Sequence, residues 1–193
     1  VKHFYSDITL DIPEGVYEPR EDSELMAKEI EKLNLKGKKA LEIGCGSGLL
    51  SIIMAKKDAI VTSVDIDEKA AGASRKNAEN NGVSLDCTVS DLFENVTGKF
   101  DLIVFNPPYL PTDDDESDNT YSGGLSGRET IERFMKDVKR HLNPGGYVLL
   151  LISSLTGEKE VMNLMKSKGM TAEIIAREKV PLEELVVIEA QHS

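Results

Sequence analysis

Lys39-Ala40-Leu41-Glu42-Ile43-Gly44-Cys45-Gly46-Ser47-Gly48-Leu49 is the stretch that decides how this chain folds. Residues 39–43 read as a short buried strand, ended by three alternating glycines, and a helical pattern over 49–57 begins at once. Glycine lets a backbone turn sharply and approach a ligand closely, so this is a strand–turn–helix unit with a binding loop at the strand's carboxyl end. A dinucleotide fingerprint would carry its third glycine at position 49, which is leucine, so a pyrophosphate ligand is disfavoured.

Outward from that unit, strand and helix patterns alternate. Helical spacing of apolar residues marks 21–33, with Asp22 or Ser23 as start signal, then 68–81, 128–142 and 158–168. Strands are expected over 60–64, 85–89, 100–105 and 147–152, with Asn143-Pro144-Gly145-Gly146 as a turn. Two last strands, 171–176 and 185–190, have only the short link 177–184 and should form an antiparallel hairpin. Alternation of this kind means βαβ crossovers and a mainly parallel sheet with helices on both faces.

The chain has 193 residues, 34 acidic against 23 basic, a net charge of −11 and 40% hydrophobic residues, which suits one domain over 1–193. Within it, 1–20 form an N-terminal arm and 110–127 a loop whose Asp113-Asp114-Asp115-Glu116-Ser117-Asp118 is expected to be solvated. The acidic balance argues against a protein built mainly to grip nucleic-acid backbones. No apolar run has the roughly 18 residues of a membrane span, and Val1-Lys2-His3-Phe4-Tyr5 is no signal-peptide core, so the expected compartment is the cytosol. Two cysteines outside any CxxC pair and three scattered histidines show no metal-ligand cluster.

Two more signals carry chemistry. Asp65 ends the strand after the glycine loop, where a carboxylate can accept both hydrogen bonds of a ribose diol or cap the helix that begins near Asp67. Asn106-Pro107-Pro108-Tyr109 ends the 100–105 strand, at the sheet edge where open α/β folds bind ligands. Each residue before a proline is held extended, and the prolines have no N–H. The Asn106 side-chain oxygen and the Pro107 carbonyl can therefore accept the two N–H bonds of a planar –NH₂ group, on which Tyr109 can stack.

The pattern Glu42-x-Gly44-x-Gly46-x-Gly48 between strand and helix resembles motif I of class I S-adenosylmethionine-dependent methyltransferases, a Rossmann-like fold with a seven-stranded sheet and an antiparallel C-terminal hairpin. With Asn106–Tyr109, the chain resembles the HemK/PrmC-like protein-(glutamine-N5) methyltransferases, and within them the compact archaeal and eukaryotic branch that modifies a peptide release factor. Val16-Tyr17-Glu18-Pro19-Arg20-Glu21-Asp22-Ser23, Gly123-Gly124-Leu125-Ser126-Gly127-Arg128, and Lys166-Ser167-Lys168-Gly169 with the final hairpin extend the likeness over nearly the whole chain. The resemblance implies a cofactor site of Tyr17, Pro19, Ser23, Glu42, Gly44, Gly46, Gly48, Asp65, Asp91, Leu92 and Asn106 for S-adenosyl-L-methionine, with Asp91 on the adenine amine. It implies catalysis by Asn106, Pro107 and Tyr109, with Pro108 lining the substrate site, and no metal. It also implies a small zinc-binding activator protein on an exposed sheet edge, for which 85–89 is the candidate. The bacterial members' separate N-terminal docking domain has no counterpart in the some 20 residues before the first helix. Methylation of adenine N6 in nucleic acid, methylation of a protein lysine, and a non-catalytic cofactor-binding role are the alternatives.

Overall fold

The computed structural model describes residues 1–108 and 128–192. In chain order the elements are β1 (Lys2–Tyr5), β2 (Ile8–Asp11), α1 (Glu21–Glu31), β3 (Lys39–Ile43), α2 (Leu49–Lys56), β4 (Ile60–Asp65), α3 (Glu68–Asn80), β5 (Asp86–Val89), β6 (Phe100–Phe105), α4 (Glu129–Asp137), β7 (Leu142–Ser153), α5 (Glu158–Ser167), β8 (Met170–Val180) and β9 (Glu183–His192).

Seven strands form one sheet in the order β5-β4-β3-β6-β7-β9-β8, parallel from β5 to β7, with β9 antiparallel to both its neighbours. This is the expected mostly parallel sheet with an antiparallel C-terminal hairpin. Its central strands are mostly apolar because helices cover both faces. Leu102 and Val104 of β6 point to a core built with Met26 and Ile30 of α1 and Ile52 of α2, while Ile103 and Phe105 point to Phe134 of α4 and Met165 of α5.

The chain runs outward from β3 through β4 to β5, then returns to place β6 on the other side of β3. The carboxyl ends of β3 and β6 flank the point where strand order reverses, and an open α/β sheet has its crevice there. Ile43 pairs with Phe105, so the glycine loop and Asn106 emerge side by side.

Several expected elements differ in the structure. The arm contains a two-stranded ribbon, β1–β2, tied to α3 by Asn77, whose side chain accepts from Asp11 N (2.9 Å) and donates to Asp11 O (3.0 Å). Ile8, Leu10 and Ile12 are buried at period two, the signal that marks the second strand. Residues 143–146 lie within β7, across a register shift opposite Phe100 and Leu102, because β6 supplies pairing partners on both sides of the glycines. The final hairpin is longer than expected and its link shortens to Pro181 and Leu182, since the edge strand β8 tolerates the charged residues 177–179, and Glu183 and Glu184 of β9 extend past Leu185, where its pairing with β7 begins. The 128–142 helix becomes 3₁₀ over Val138–His141, and Leu142 is already extended. Neither Asp22 nor Ser23 caps α1: the cap position is Arg20, without a side-chain cap bond, and both residues turn inward from the first turn.

Among the described residues no helix is long and apolar enough to cross a membrane.

Gly48 shows how tightly the two helices behind the loop pack. Its φ is +93°, and an added Cβ would stand 2.7 Å from Ser74 Oγ and 3.0 Å from Ser74 Cα in α3. Gly48→Ala should therefore cost about 2–4 kcal/mol in urea denaturation. Gly46→Ala, at φ +52° with open space around its added Cβ, should cost about 1 kcal/mol.

Candidate functional site

The loop after β3 is held by β4. Gly44 N and Cys45 N both donate to Val64 O, at 2.8 and 3.0 Å, and Gly46 N donates to Asp65 Oδ2 at 2.9 Å. Asp65 Oδ1 accepts from Asp67 N at 3.0 Å. The cap of α3 is Asp67, which accepts from Lys69 N at 2.9 Å, so the two readings of Asp65 separate and its carboxylate is left at the cavity wall. Burial raises the Asp65 pKa, against the opposing effect of its backbone hydrogen bonds.

The cavity at this edge measures about 880 Å³, within the range of small-molecule sites. Tyr17, Pro19 and Ser23 line it from the arm and α1, Glu42, Gly44 and Gly46 from β3 and its loop, and Asp65, Asp91 and Leu92 from the next two strand ends. Asn106, Pro107 and Pro108 close it from β6. The structure thus gathers the predicted residues into one cavity, with two departures. Gly48 is not among the lining residues; its place is the α2–α3 contact. Tyr109 and the acidic loop 110–127 lie outside the described residues.

Glu42 lies beneath the loop, 3% exposed, accepting from the Ser51 hydroxyl, which in turn meets Ser63 Oγ at 2.6 Å. Desolvation pushes its pKa up to about 8, more than the bond from Ser51 lowers it. Asp91 is half-buried at the cavity edge and pairs with Arg133 of α4 at 2.7 Å. Cys45 and Cys87 are buried with their sulfurs 3.9 Å apart. Among the described residues no group of three His, Cys, Asp or Glu side chains is placed to hold a metal ion.

At the turn after β6, Asn106 Nδ2 donates to Asp22 Oδ2 at 3.0 Å. Asn106 Oδ1 is buried and has no hydrogen-bond partner among the described residues. Asp22 Oδ1 also accepts from Tyr17 Oη (2.7 Å) and Ser23 N (2.6 Å). Asp22 was read from sequence only as a helix start signal. The sign that it does more was its position on the buried face of α1, in step with Leu25, Met26, Glu29 and Ile30.

A strand-end carboxylate, a glycine loop and an acceptor-bearing turn around one crevice define a small-molecule-binding domain of the open α/β class. Comparison with known proteins narrows this. The methyltransferase small domain model matches residues 15–180. A protein of Methanocaldococcus jannaschii assigned as a protein N5-glutamine methyltransferase is 50% identical over 189 residues, covering 95% of both chains. Human methyltransferase HEMK2 is 34% identical over 170 residues, covering 80% of this chain and 79% of its own. The solved E. cuniculi Mtq2–Trm112 complex, responsible for methylation of the eRF1 translation termination factor, superposes with TM-score 0.75 at 29% identity, covering 93% of this chain and 99% of that one. This chain belongs to the methyltransferase family of the HemK-like protein N5-glutamine methyltransferases.

Glu42 makes stability depend on pH. Its folded pKa stands above the ordinary 4.5, so its favourable contribution is full below 4.5 and is lost as pH rises through about 8. Between pH 5 and 9 the wild-type melting temperature should fall relative to that of Glu42→Gln, the gap at pH 9 corresponding to a few kcal/mol, read by calorimetry at matched ionic strength.

Proposed function

We propose that this chain transfers a methyl group from S-adenosyl-L-methionine to the side-chain amide nitrogen of a glutamine in a protein, a translation release factor. The observation that carries the reading is Asn106 Oδ1, a buried acceptor with no partner among the described residues, on a turn whose next two residues have no N–H. A buried acceptor left unpaired costs about 1–3 kcal/mol, and an incoming –NH₂ group removes that cost. The relatives named above support the same substrate class.

The cavity residues fit the cofactor. Asp65 offers acceptors for a ribose diol, Gly44 and Gly46 leave room for close approach, and Tyr17, Pro19, Ser23, Asp91 and Leu92 complete the walls. When bound, S-adenosylmethionine supplies a methyl group on a positively charged sulfur. The protein's own part is placement. An amide nitrogen is a weak nucleophile because its lone pair is shared with the carbonyl, and orientation can contribute about 7–11 kcal/mol. Acceptors at Asn106 and Pro107 favour the positive charge that builds on the attacking nitrogen. They disfavour a carboxylate, which brings no donors and repels both oxygens.

The activator fits the same frame. Among the described residues β5 pairs only with β4 and leaves its other edge open, with Val89 40% exposed. A small zinc-binding partner adding a strand there covers that edge, at the far side of β4 from the glycine loop. The Mtq2–Trm112 complex supports a small partner of this kind. A release-factor substrate places the work in the cytoplasm.

Asn106→Ala should lower turnover by at least about 100-fold, with cofactor affinity within about tenfold, or 1.4 kcal/mol, by calorimetry. Near wild-type turnover would sink the assignment. Asp65→Ala should weaken cofactor binding, and unchanged affinity would remove its ribose role. Mass spectrometry of protein labelled by a methyl-labelled cofactor decides the acceptor: label on glutamine supports the reading, and label on adenine or lysine overturns it.

A further inference from the structure

We infer that Asp22 is the positioning residue that locks the Asn106 side chain with its oxygen toward the substrate, and thereby sets the preference for an amide over a carboxylate. This deepens the proposed glutamine reading and rests on it for the identity of the substrate.

The two ends of an asparagine amide are nearly identical in shape, so its orientation follows from what each end meets. One end of Asn106 meets Asp22 Oδ2 at 3.0 Å. The other oxygen of the same carboxylate already accepts from the Tyr17 hydroxyl and the Ser23 backbone N–H. A carboxylate oxygen has no hydrogen to give, so Asp22 Oδ2 can only accept from Asn106, and the –NH₂ end of the amide faces Asp22. The amide oxygen is forced to the opposite side, where it is buried. Turning the amide over would set its oxygen against Asp22 and present two N–H groups to the substrate. That arrangement attracts a glutamate side chain and repels a glutamine –NH₂.

Asp22 is held in place from several directions. It is 5% exposed and lies in the first turn of the 11-residue helix α1, whose positive end favours a carboxylate. Its bond to Tyr17 also joins the arm to the catalytic turn, so one carboxylate links a cofactor-side aromatic to a substrate-side acceptor. Nothing in this role brings Asp22 to the reacting atoms; it acts through Asn106.

Asp22→Asn tests the lock sharply. The new amide must keep its oxygen toward the Ser23 N–H, 2.6 Å away, which turns its own –NH₂ toward Asn106 and drives Asn106 to flip. On a glutamine peptide kcat should fall at least 30-fold, with cofactor Kd within threefold. A peptide with glutamate in place of the glutamine should become a tighter competitive inhibitor than it is of the wild type. The Asn106→Ala/Asp22→Asn double variant should be no slower than Asn106→Ala. Retained kcat, an unchanged glutamate-peptide Ki, or a double variant much slower than Asn106→Ala would each overturn the inference.

One readout is independent of the substrate. In ¹⁵N-labelled wild-type protein the Asn106 side-chain amide should show the downfield, slowly exchanging proton of a hydrogen bond to carboxylate, absent in Asp22→Asn. A freely exchanging wild-type amide overturns the lock even if that variant does not fold. Wild-type protein that labels no glutamine peptide overturns the substrate reading, while the resonance still decides the lock.

Discussion

The parallel pairing of β3 with β6 is the contact on which the rest of this molecule depends. β3 is flanked by β4 and β6, strands that lie on opposite sides of the reversal in strand order. With Ile43 set against Phe105, the glycine loop and the Asn106 turn leave the sheet as neighbours. A one-residue slip would exchange the faces of β6 and send Phe105 and Ile103 into the wrong core. The apolar packing on both faces therefore sets the distance between the glycine loop and the Asn106 turn. Stability and the shape of the crevice share one constraint.

Around that pairing, polar groups are buried only where they have work to do. Glu42, Ser51 and Ser63 form one connected set beneath the loop. Asp65 is tied to the backbone of Gly46 and Asp67, which holds the loop to the end of β4. Asp22, Tyr17 and Asn106 form another set, and it spans 84 residues of sequence between α1 and the end of β6. Among the described residues four buried side-chain atoms have no hydrogen-bond partner, His3 Nε2, Ser74 Oγ, Glu183 Oε2 and Asn106 Oδ1; the last stands on the turn after β6, where an unpaired buried acceptor is a place for a ligand's donor.

Much of the fold was legible because its signals are local. Alternating strand and helix patterns announce the parallel sheet, and β3, β4, β5 and β6 lie close to the bounds those patterns give. The N-terminal ribbon was not anticipated: its strands have four residues each, and β1 has no buried residue of its own. The ends of β7, β8 and β9 were read too short, because glycines and charges that break an isolated strand are tolerated where a neighbour completes the ladder.

The site divides along the same line. Its glycines, Asp65 and the Asn106-Pro107-Pro108 turn were readable from the chain, since residue type and strand-end position together state their chemistry. Gly48 looked like a third loop glycine, and only packing shows that it makes room for Ser74. Asp65 had two readings until Asp67 took the helix cap. Asp22 looked like a capping residue, and only the approach of α1 to the end of β6 makes it the partner of Asn106. The sequence by itself determined which elements form and which groups can accept or donate. The tertiary structure decided which way those groups face, because the orientation of an amide or a carboxylate is set by neighbours distant in the chain.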